Sequence, residues 1–511
     1  MKMVKSLILG SAAGLVAMSG AQAADLPVKA KAVEYVKICS LYGAGFYYIP
    51  GTDTCIKLGG YLRVDMGVNT NSVNTGNTSS PGGLGDRFTN AYTWRSREDL
   101  NIDTRTATEY GVVRTFFDAT FTWDSDSYTA SGTSGLGSVY SQIGATGVGQ
   151  ANNGAAGATA KGTVGVYYAF IQFAGFTMGK AISPFSAPWT AYPGNSSFDG
   201  LVGGGGTVTG VNQFDYTAQF GNGVSGTIGL QDPTQYYQAG VLNFGAFGSA
   251  SSTGVNDYAG TVMPDVIGVL NVTQAWGLAQ ISVAAHDNNP AYYINSGAGN
   301  IVTGHPDDKW GFAVQGALGI NNIPTGAGDT INIQGVYTNG ATRYNIQDLA
   351  GSAGAWTTFA GTNVGGALGS VGIGVAPDSV FNLGGSQQLI STWGGRGGFN
   401  HNWNPYWSTS IYGAYANVNY GSGAASTFCA SLIATQPGVT SCNPNYSVSQ
   451  AGIVTRWTPV KNLTFSGELT YEHLSQKNVG TITTSGSYGT GTYVLANQDT
   501  YQFLFRAQRN W

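Results

Sequence analysis

The sequence predicts an all-β fold, a transmembrane β-barrel of sixteen antiparallel strands with short periplasmic turns and long external loops. Charged residues make up only 9% of the chain, whereas soluble domains carry about 25%, so there is too little charge to cover a water-facing surface. Segments of about ten residues alternate apolar with polar or small side chains, as strands do between lipid and a water-filled lumen. The connections between these segments alternate between long and short.

The clearest alternating segment covers residues 56–68. Its even-numbered positions are apolar or glycine, and its odd-numbered positions are mostly polar or small. In a strand these two sets face opposite sides of the sheet. Along the whole chain we predict sixteen strands, near residues 56–69, 91–104, 108–123, 162–173, 176–182, 211–220, 223–231, 264–274, 278–286, 309–320, 329–339, 387–402, 406–420, 447–458, 462–474 and 499–511.

The predicted connections sort by length, as expected when one rim of a barrel carries loops and the other carries tight turns. The long ones lie near 70–90, 124–161, 183–210, 232–263, 287–308, 340–386, 421–446 and 475–498. The short ones lie near 105–107, 174–175, 221–222, 275–277, 321–328, 403–405 and 459–461. Because lipid cannot hydrogen-bond an open sheet edge, we expect the sheet to close on itself. Sixteen strands would enclose an aqueous channel.

The first 23 residues predict a cleaved signal peptide. Lys2 and Lys5 form a basic amino-terminal region, and residues 6–18 are apolar or small. An Ala-x-Ala motif then ends at Ala23, as at a signal-peptide cleavage site. We expect the mature chain to begin near Ala24 and to be exported.

The mature chain, residues 24–511, is expected to form one barrel domain, in which residues 24–55 precede the first strand. Cleavage leaves 20 basic against 26 acidic residues, and a nucleic-acid partner would need a basic surface. The motifs HExxH and GxSxG and the P-loop do not occur in the sequence. We therefore predict no enzyme activity, no cofactor and no nucleic-acid partner.

The four cysteines predict two disulfides. Cys39 lies close in sequence to Cys55, and Cys429 to Cys442, and an even count in an exported protein favours pairing. Pairing of near neighbours would stabilise each closed loop by about 3 kcal/mol in the chain-entropy model. Metal binding is the alternative, but CxxC spacing does not occur and the histidines are scattered, so we predict no metal site.

One stretch of sequence identifies a family. Residues 39–61 read CSLYGAGFYYIPGTDTCIKLGGY, which resembles the amino-terminal signature of the major porins of alphaproteobacteria. The resemblance continues through residues 24–27, residues 96–99 and the terminal aromatic Trp511. It implies a homotrimeric porin in outer-membrane lipid, through which small hydrophilic solutes and ions diffuse passively.

Charge is concentrated in the first three predicted strands. Five basic residues take the inward phase there, with four carboxylates among them: Lys57, Arg63, Arg95, Arg97 and Arg114, with Asp65, Asp99, Asp103 and Asp118. An arginine facing lipid at the midplane would cost about 2–4 kcal/mol, so the lumen is the favourable side. Such a wall selects among permeating ions. The alternative is that these residues only solvate the lumen and pair across strands.

The third long connection, residues 183–210, is the second candidate for the pore. The resemblance implies that it folds inward and narrows the channel. It is rich in proline and aromatic residues but carries a single acid, Asp199, to which Asp215 on the next strand could add. We therefore predict that the side of the channel opposite these basic residues is only weakly acidic, and we do not predict strong cation selectivity. The alternative is an ordinary surface loop.

Three functions are compatible with a barrel of this kind. The leading prediction is a general-diffusion porin. A substrate-selective channel of the sugar type would need lumen-facing aromatic residues on successive strands, which the alternation of the sequence does not establish. A surface adhesin could use the long loops on the same barrel.

Overall fold

The computed structural model describes residues 37–69, 92–124, 163–189, 201–205, 209–234, 236–245, 255–294, 304–346, 356–360, 370–486 and 489–511. The predicted signal peptide and Asp199 lie outside these residues. The chain divides into two compact units, Met1–Ile56 and Lys57–Trp511.

In the amino-terminal unit, a short strand at Tyr47–Tyr48 pairs with residues 55 and 56. Cys39 and Cys55 form a disulfide with their Cα atoms 6.0 Å apart, which confirms the predicted pairing. Both half-cystines are buried with Phe46 in a small core, against which Tyr42 and Tyr48 pack. The disulfide therefore takes the place of a larger hydrophobic core in this short segment.

Sixteen strands form one antiparallel sheet, as predicted. In chain order they are β1 (Cys55–Asn69), β2 (Tyr92–Thr108), β3 (Gly111–Asp124), β4 (Thr163–Phe173), β5 (Phe176–Ala181), β6 (Val211–Gly221), β7 (Val224–Gln231), β8 (Asp265–Gln274), β9 (Gly277–Asn288), β10 (Lys309–Asn321), β11 (Thr330–Asn339), β12 (Ser391–Asn404), β13 (Trp407–Asn419), β14 (Tyr446–Val460), β15 (Leu463–Ser475) and β16 (Gln498–Asn510).

The sheet closes because β1 pairs with β16, from Tyr61 opposite Asn510 to Asn69 opposite Gln502. An ion pair crosses this seam, with Arg506 Nε 2.6 Å from Asp65 Oδ1. Closure leaves none of the sixteen strands with an edge in lipid, which is the condition for a sheet that spans a membrane.

Alternation along the strands separates an outer from an inner face. In β10 the side chains of Trp310, Phe312 and Val314 are exposed on the outside, while Ala313 and Gln315, which have the opposite phase, are buried. Period-two alternation with apolar residues on the exposed side is the arrangement expected when lipid covers the outer face.

The short turns account for the pairing register at one rim. Asn222 and Gly223 join β6 to β7 and both have positive φ, 51° and 76°, the conformation of a two-residue hairpin turn. A Cβ atom on Gly223 would lie 1.9 Å from the carbonyl oxygen of Thr273. Only glycine therefore fits at this position.

The long connection after β13 contains a helix, α1 (Gly421–Thr435). The sequence predicted a loop here. The buried side chains of α1 are Ala424, Phe428 and Leu432. Their four-residue spacing is a helical signal, but the glycine- and serine-rich start obscures it. Cys429 on α1 forms the predicted disulfide with Cys442.

Short strands in the long connections form two further small sheets. One contains Val241–Asn243, Val255–Asn256, Ser379–Phe381 and Gln388–Leu389, and the other Trp356–Ala360, Ser370–Val375, Val439–Ser441, Val479–Gly486 and Gly489–Leu495. In the described residues, no helix combines the length and the apolar character needed to cross a bilayer.

Candidate functional site

Of the basic residues predicted for the first strands, Arg63, Arg95, Arg97 and Arg114 lie on the inner face of the barrel. Arg63 Nε donates to Gln508 Oε1 at 2.9 Å, and Arg97 Nε donates to Thr122 Oγ1 at 2.9 Å. Arg95 is buried on the same strand as Arg97. These contacts run between neighbouring strands, so the side chains lie along the wall.

Carboxylates balance part of this charge. Asp103 of β2 accepts from Arg105 at 2.9 Å and from Arg114 of β3 at 3.0 Å. Arg114 also donates to Gln172 Oε1 of β4 at 2.9 Å. Asp99 and Asp118 are buried on the same face. Cross-strand ion pairing therefore accounts for Arg114, whereas Arg63 and Arg97 form hydrogen bonds with the neutral side chains of Gln508 and Thr122.

Two further arginines extend this surface beyond the strands that the sequence singled out. Arg456 of β14 and Arg506 of β16 both lie opposite Ser466 of β15. Arg506 is within electrostatic range of both Arg63 and Arg456. We call Arg63, Arg97, Arg114, Arg456 and Arg506 the basic wall. The alternation of the sequence predicts that Arg506 faces inward. Its position beside β1, however, results from closure of the barrel.

The described parts of the third long connection, residues 183–189 and 201–205, lie inside the barrel. Gln280 of β9 donates to the carbonyl oxygens of Pro184 at 3.1 Å and Ser186 at 2.9 Å. Gln315 of β10 donates to the carbonyl oxygen of Phe185 at 2.8 Å. The inward fold of this loop is confirmed, and the surface-loop alternative is wrong.

The far end of the loop is held by the opposite strands. Arg396 of β12 donates to the carbonyl oxygen of Leu201 at 2.9 Å, and Val202 donates its backbone N–H to Gln450 Oε1 of β14 at 2.8 Å. These anchors were not predicted from the sequence. A glutamine at an inward-facing position of a barrel strand could have indicated them.

Aromatic stacking fixes the start of the loop. Phe185, Tyr237 and Tyr344 are fully buried together, with the Phe185 and Tyr344 ring centroids 4.5 Å apart and the two tyrosine rings stacked at 4.0 Å. Burial raises the pKa of Tyr237 to about 12 and holds the pKa of Tyr344 well above its usual range. Both phenols therefore stay neutral at physiological pH.

A buried polar network lies beside this stack. His286 Nδ1 is 2.7 Å from Asp265 Oδ1, and Nε2 is 3.5 Å from Asp378 Oδ2. Asp378 also accepts from the backbone N–H groups of Thr342 at 2.6 Å and Ala239 at 2.7 Å. This network ties two long connections to β8 and β9.

Asp215, predicted as a possible acidic partner for the basic wall, lies on the inner face of β6 opposite Gly229 of β7. In the part of the chain that the structure describes, it forms no ion pair with the basic wall, and neither carboxylate oxygen accepts a hydrogen bond. Asp199, the other predicted acid, lies outside the described residues, so the acidic side remains a prediction.

A closed sixteen-stranded barrel with an apolar outer face, a polar inner face and a loop packed inside it defines a membrane channel. Residues 25–502 match the family described as Porin subfamily, and the chain belongs to this family. It is 31% identical over 360 residues to the porin Omp2b of Brucella canis and to that of Brucella melitensis, covering 70% of this chain and 80% of each relative.

Among solved structures, the outer membrane channel DcaP of Acinetobacter baumannii has a similar fold. The TM-score is 0.55 at 14% sequence identity, with 91% of this chain and 99% of that chain covered. The family match and the barrel together show that the chain is an outer-membrane porin.

Proposed function

We propose that this porin is a general-diffusion channel for small hydrophilic solutes and ions, with the third loop as its constriction and the basic wall as its selectivity element. The hydrogen bonds from Gln280 and Gln315 to the loop carry this proposal, because a loop held inside a barrel narrows the path. Charged side chains lining that path bias which ions pass. The residues are proposed to act on permeation, with no catalytic step.

Two further parts of the proposal rest on the family resemblance and on the sequence. The protein is proposed to work as a homotrimer, as the porin resemblance implies. It is proposed to reach the outer membrane by export, with removal of residues 1–23.

Planar-bilayer recording tests the function. The purified protein is expected to give stepwise conductance increments in KCl that rise with salt concentration, and vesicles containing it should swell in small sugars but not in large ones. Absence of conductance would overturn the channel proposal.

Reversal potentials in a KCl gradient test the basic wall. Replacing Arg63, Arg97 and Arg114 together by glutamine should shift selectivity toward cations, by roughly 2-fold or more in the permeability ratio, because fixed lumen charge sets the local ion concentrations. Arg509→Gln is the matched control, since Arg509 is exposed and bonds the carbonyl oxygen of Lys461. An unchanged triple variant would remove the wall from the mechanism.

A sugar-selective channel is the second candidate. Phe116 of β3 and Phe170 of β4 stack on the inner face with ring centroids 5.4 Å apart, and these are lumen aromatics on successive strands. Concentration-dependent block of the ion current by a neutral oligosaccharide would favour this candidate, and no block would favour general diffusion.

A further inference from the structure

The inner wall has a recess between β3 and β6, beside Arg114 of the basic wall. It has a volume of about 440 Å3 and is lined by eleven residues, among them Phe116, Tyr168, Phe170, Gln172, Gln213 and Asp215. Pro184 at the start of the third loop also contributes to its lining. The recess therefore adjoins the start of this loop. A volume of this order holds a molecule the size of a small amine or sugar.

Asp215 is the one charged residue among those lining the recess. Its side chain lines the recess but is only 2% exposed, and both carboxylate oxygens lack a hydrogen-bond partner in the described residues. Gln213 Oε1 on the same strand is also without one. Burying a carboxylate without a partner is costly, so the recess favours a ligand that brings hydrogen-bond donors and a positive charge.

Gly229 sets the position of this carboxylate. A Cβ atom at Gly229 would lie 1.6 Å from Asp215 Oδ1, so the carboxylate occupies the space that any other residue would fill. The carboxylate of Asp215 can take this orientation because its cross-strand neighbour, Gly229, has no side chain.

Apolar surface faces the recess from the side of β3 and β4. The rings of Phe116 and Phe170 are inclined by 28° and offer a ring or an aliphatic chain a flat surface. The Arg114 guanidinium lies 5.0 Å from the Phe116 centroid and shares Asp103 with Arg105, so one carboxylate faces two guanidinium groups there. The charge that lines the recess itself is that of Asp215.

We propose that this recess is a binding subsite for small organic cations, in which Asp215 accepts hydrogen bonds from an ammonium or guanidinium group while the Phe116 and Phe170 rings contact the apolar body. The inference rests on the proposed channel function and adds to it a class of solute. Charge-assisted bonds give the subsite its affinity, and the aromatic faces add a cation–π or stacking contribution.

Block of the ion current by benzylamine tests the subsite in bilayers containing the full-length protein. Benzylamine at neutral pH should reduce the open-channel current in a saturable way, whereas benzyl alcohol, which has the same ring without the charge, should not. Methylamine, which has the charge without the ring, should bind more weakly. Equal block by benzylamine and benzyl alcohol would overturn the proposal.

Two variants of the carboxylate decide whether Asp215 is responsible. Asp215→Asn should weaken benzylamine binding at least 10-fold. Gly229→Ala keeps the charge but displaces the carboxylate, and should weaken binding in the same direction. If the Asp215→Asn variant does not form channels, the Gly229→Ala variant alone tests the role of the carboxylate. Asp307→Asn removes an exposed carboxylate outside the recess and should leave binding unchanged. Unchanged affinity in either recess variant would overturn the proposal.

The ring contact has its own comparison. Phe170→Leu should weaken benzylamine binding more than methylamine binding, because only the former uses the aromatic face. Equal loss for both amines would contradict the proposed role of the rings. Conductance without amine block would overturn the subsite alone, whereas absence of conductance would overturn the channel function.

Discussion

The side-chain amide of Gln315 donates to the carbonyl oxygen of Phe185 across 2.8 Å, joining residues 130 positions apart in the chain. Gln315 belongs to a barrel strand and Phe185 to the third loop, so the bond fixes the loop to the wall. A loop segment without regular structure needs such partners for its backbone groups when it lies in a buried position. The strand therefore acts as part of the constriction as well as part of the barrel.

Removing the two glutamine anchors should loosen the constriction. In the double variant Gln280→Leu, Gln315→Leu the loop carbonyls lose their donors, at a cost of about 1–3 kcal/mol for each buried group left unsatisfied. We expect larger or noisier single-channel currents. Gln274→Leu at an exposed turn, where Gln274 donates to the Asn222 carbonyl, should behave like the parent protein. Identical currents in all three proteins would show that the anchors do not hold the loop.

The ion pair between Asp65 and Arg506 should stabilise the barrel seam. Arg506→Gln leaves the fully buried Asp65 without its partner, and breaking a buried pair costs about 3–5 kcal/mol. The temperature at which the barrel unfolds in detergent should fall, as measured by the change in gel mobility on heating. The double variant Asp65→Asn, Arg506→Gln should recover part of this loss. A single variant as stable as the parent would contradict the prediction.

Asp378 should hold the long connections in place. Asp378→Ala removes the acceptor for the Thr342 and Ala239 backbone groups and one neighbour of His286. Limited proteolysis should then cut residues 340–386 at least several-fold faster, because proteolysis follows local opening. The exposed change Asp307→Ala is the control. Equal cleavage rates in both variants would argue against this role.

Loss of the disulfide between Cys429 and Cys442 should release α1. Replacing both cysteines by serine removes a constraint worth about 3 kcal/mol in the chain-entropy model. Hydrogen exchange in residues 421–442 should become faster, while exchange in β13 stays slow. If protection of α1 did not change, its packing through Phe428 and Leu432 would suffice without the disulfide.

The turn before β11 should respond to acid. Burial opposes ionisation of Asp329, but the Thr325 hydroxyl, the backbone N–H of Asn402 and His401 together lower its pKa to about 2. Because the folded-state pKa lies below the unfolded value of about 3.9, its contribution to stability is present above pH ~4 and is lost as the pH falls toward ~2.

Hydrogen exchange at Asn402 as a function of pH measures this effect. Exchange, corrected for its intrinsic pH dependence, should rise between pH ~4 and ~2 in the parent protein. In Asp329→Asn this step should be absent, because the titrating carboxyl is gone. A step of equal size in the variant would assign the transition to another group.

All sixteen predicted strands are present in the structure, because alternation and turn residues are local features of the sequence. Where a predicted strand boundary differs most from the structure, the cause is local. β3 begins at Gly111 rather than at residue 108 because Thr108 still pairs with Gly111 at the end of the β2–β3 hairpin. The segment predicted to start at residue 387 begins at Ser391, since Gln388–Leu389 pairs with a loop strand.

The candidate site could be predicted only in part. Arg63, Arg97 and Arg114 were placed on the inner face by strand phase alone. Arg456, Arg506 and the anchors Gln280 and Gln315 were not singled out, because their roles depend on partners that are distant in the chain, such as Ser186 for Gln280 (94 residues) and Phe185 for Gln315 (130 residues), or on the closure of the sheet.

By itself, the sequence determined the strands, their two faces and both disulfide pairings, because these depend on local periodicity and on cysteines close in the chain. The tertiary structure alone decided where the loop runs, which arginines share a wall and that Asp215 has no partner in the described residues. These features arise when distant strands become neighbours, and their energies depend on distances in space.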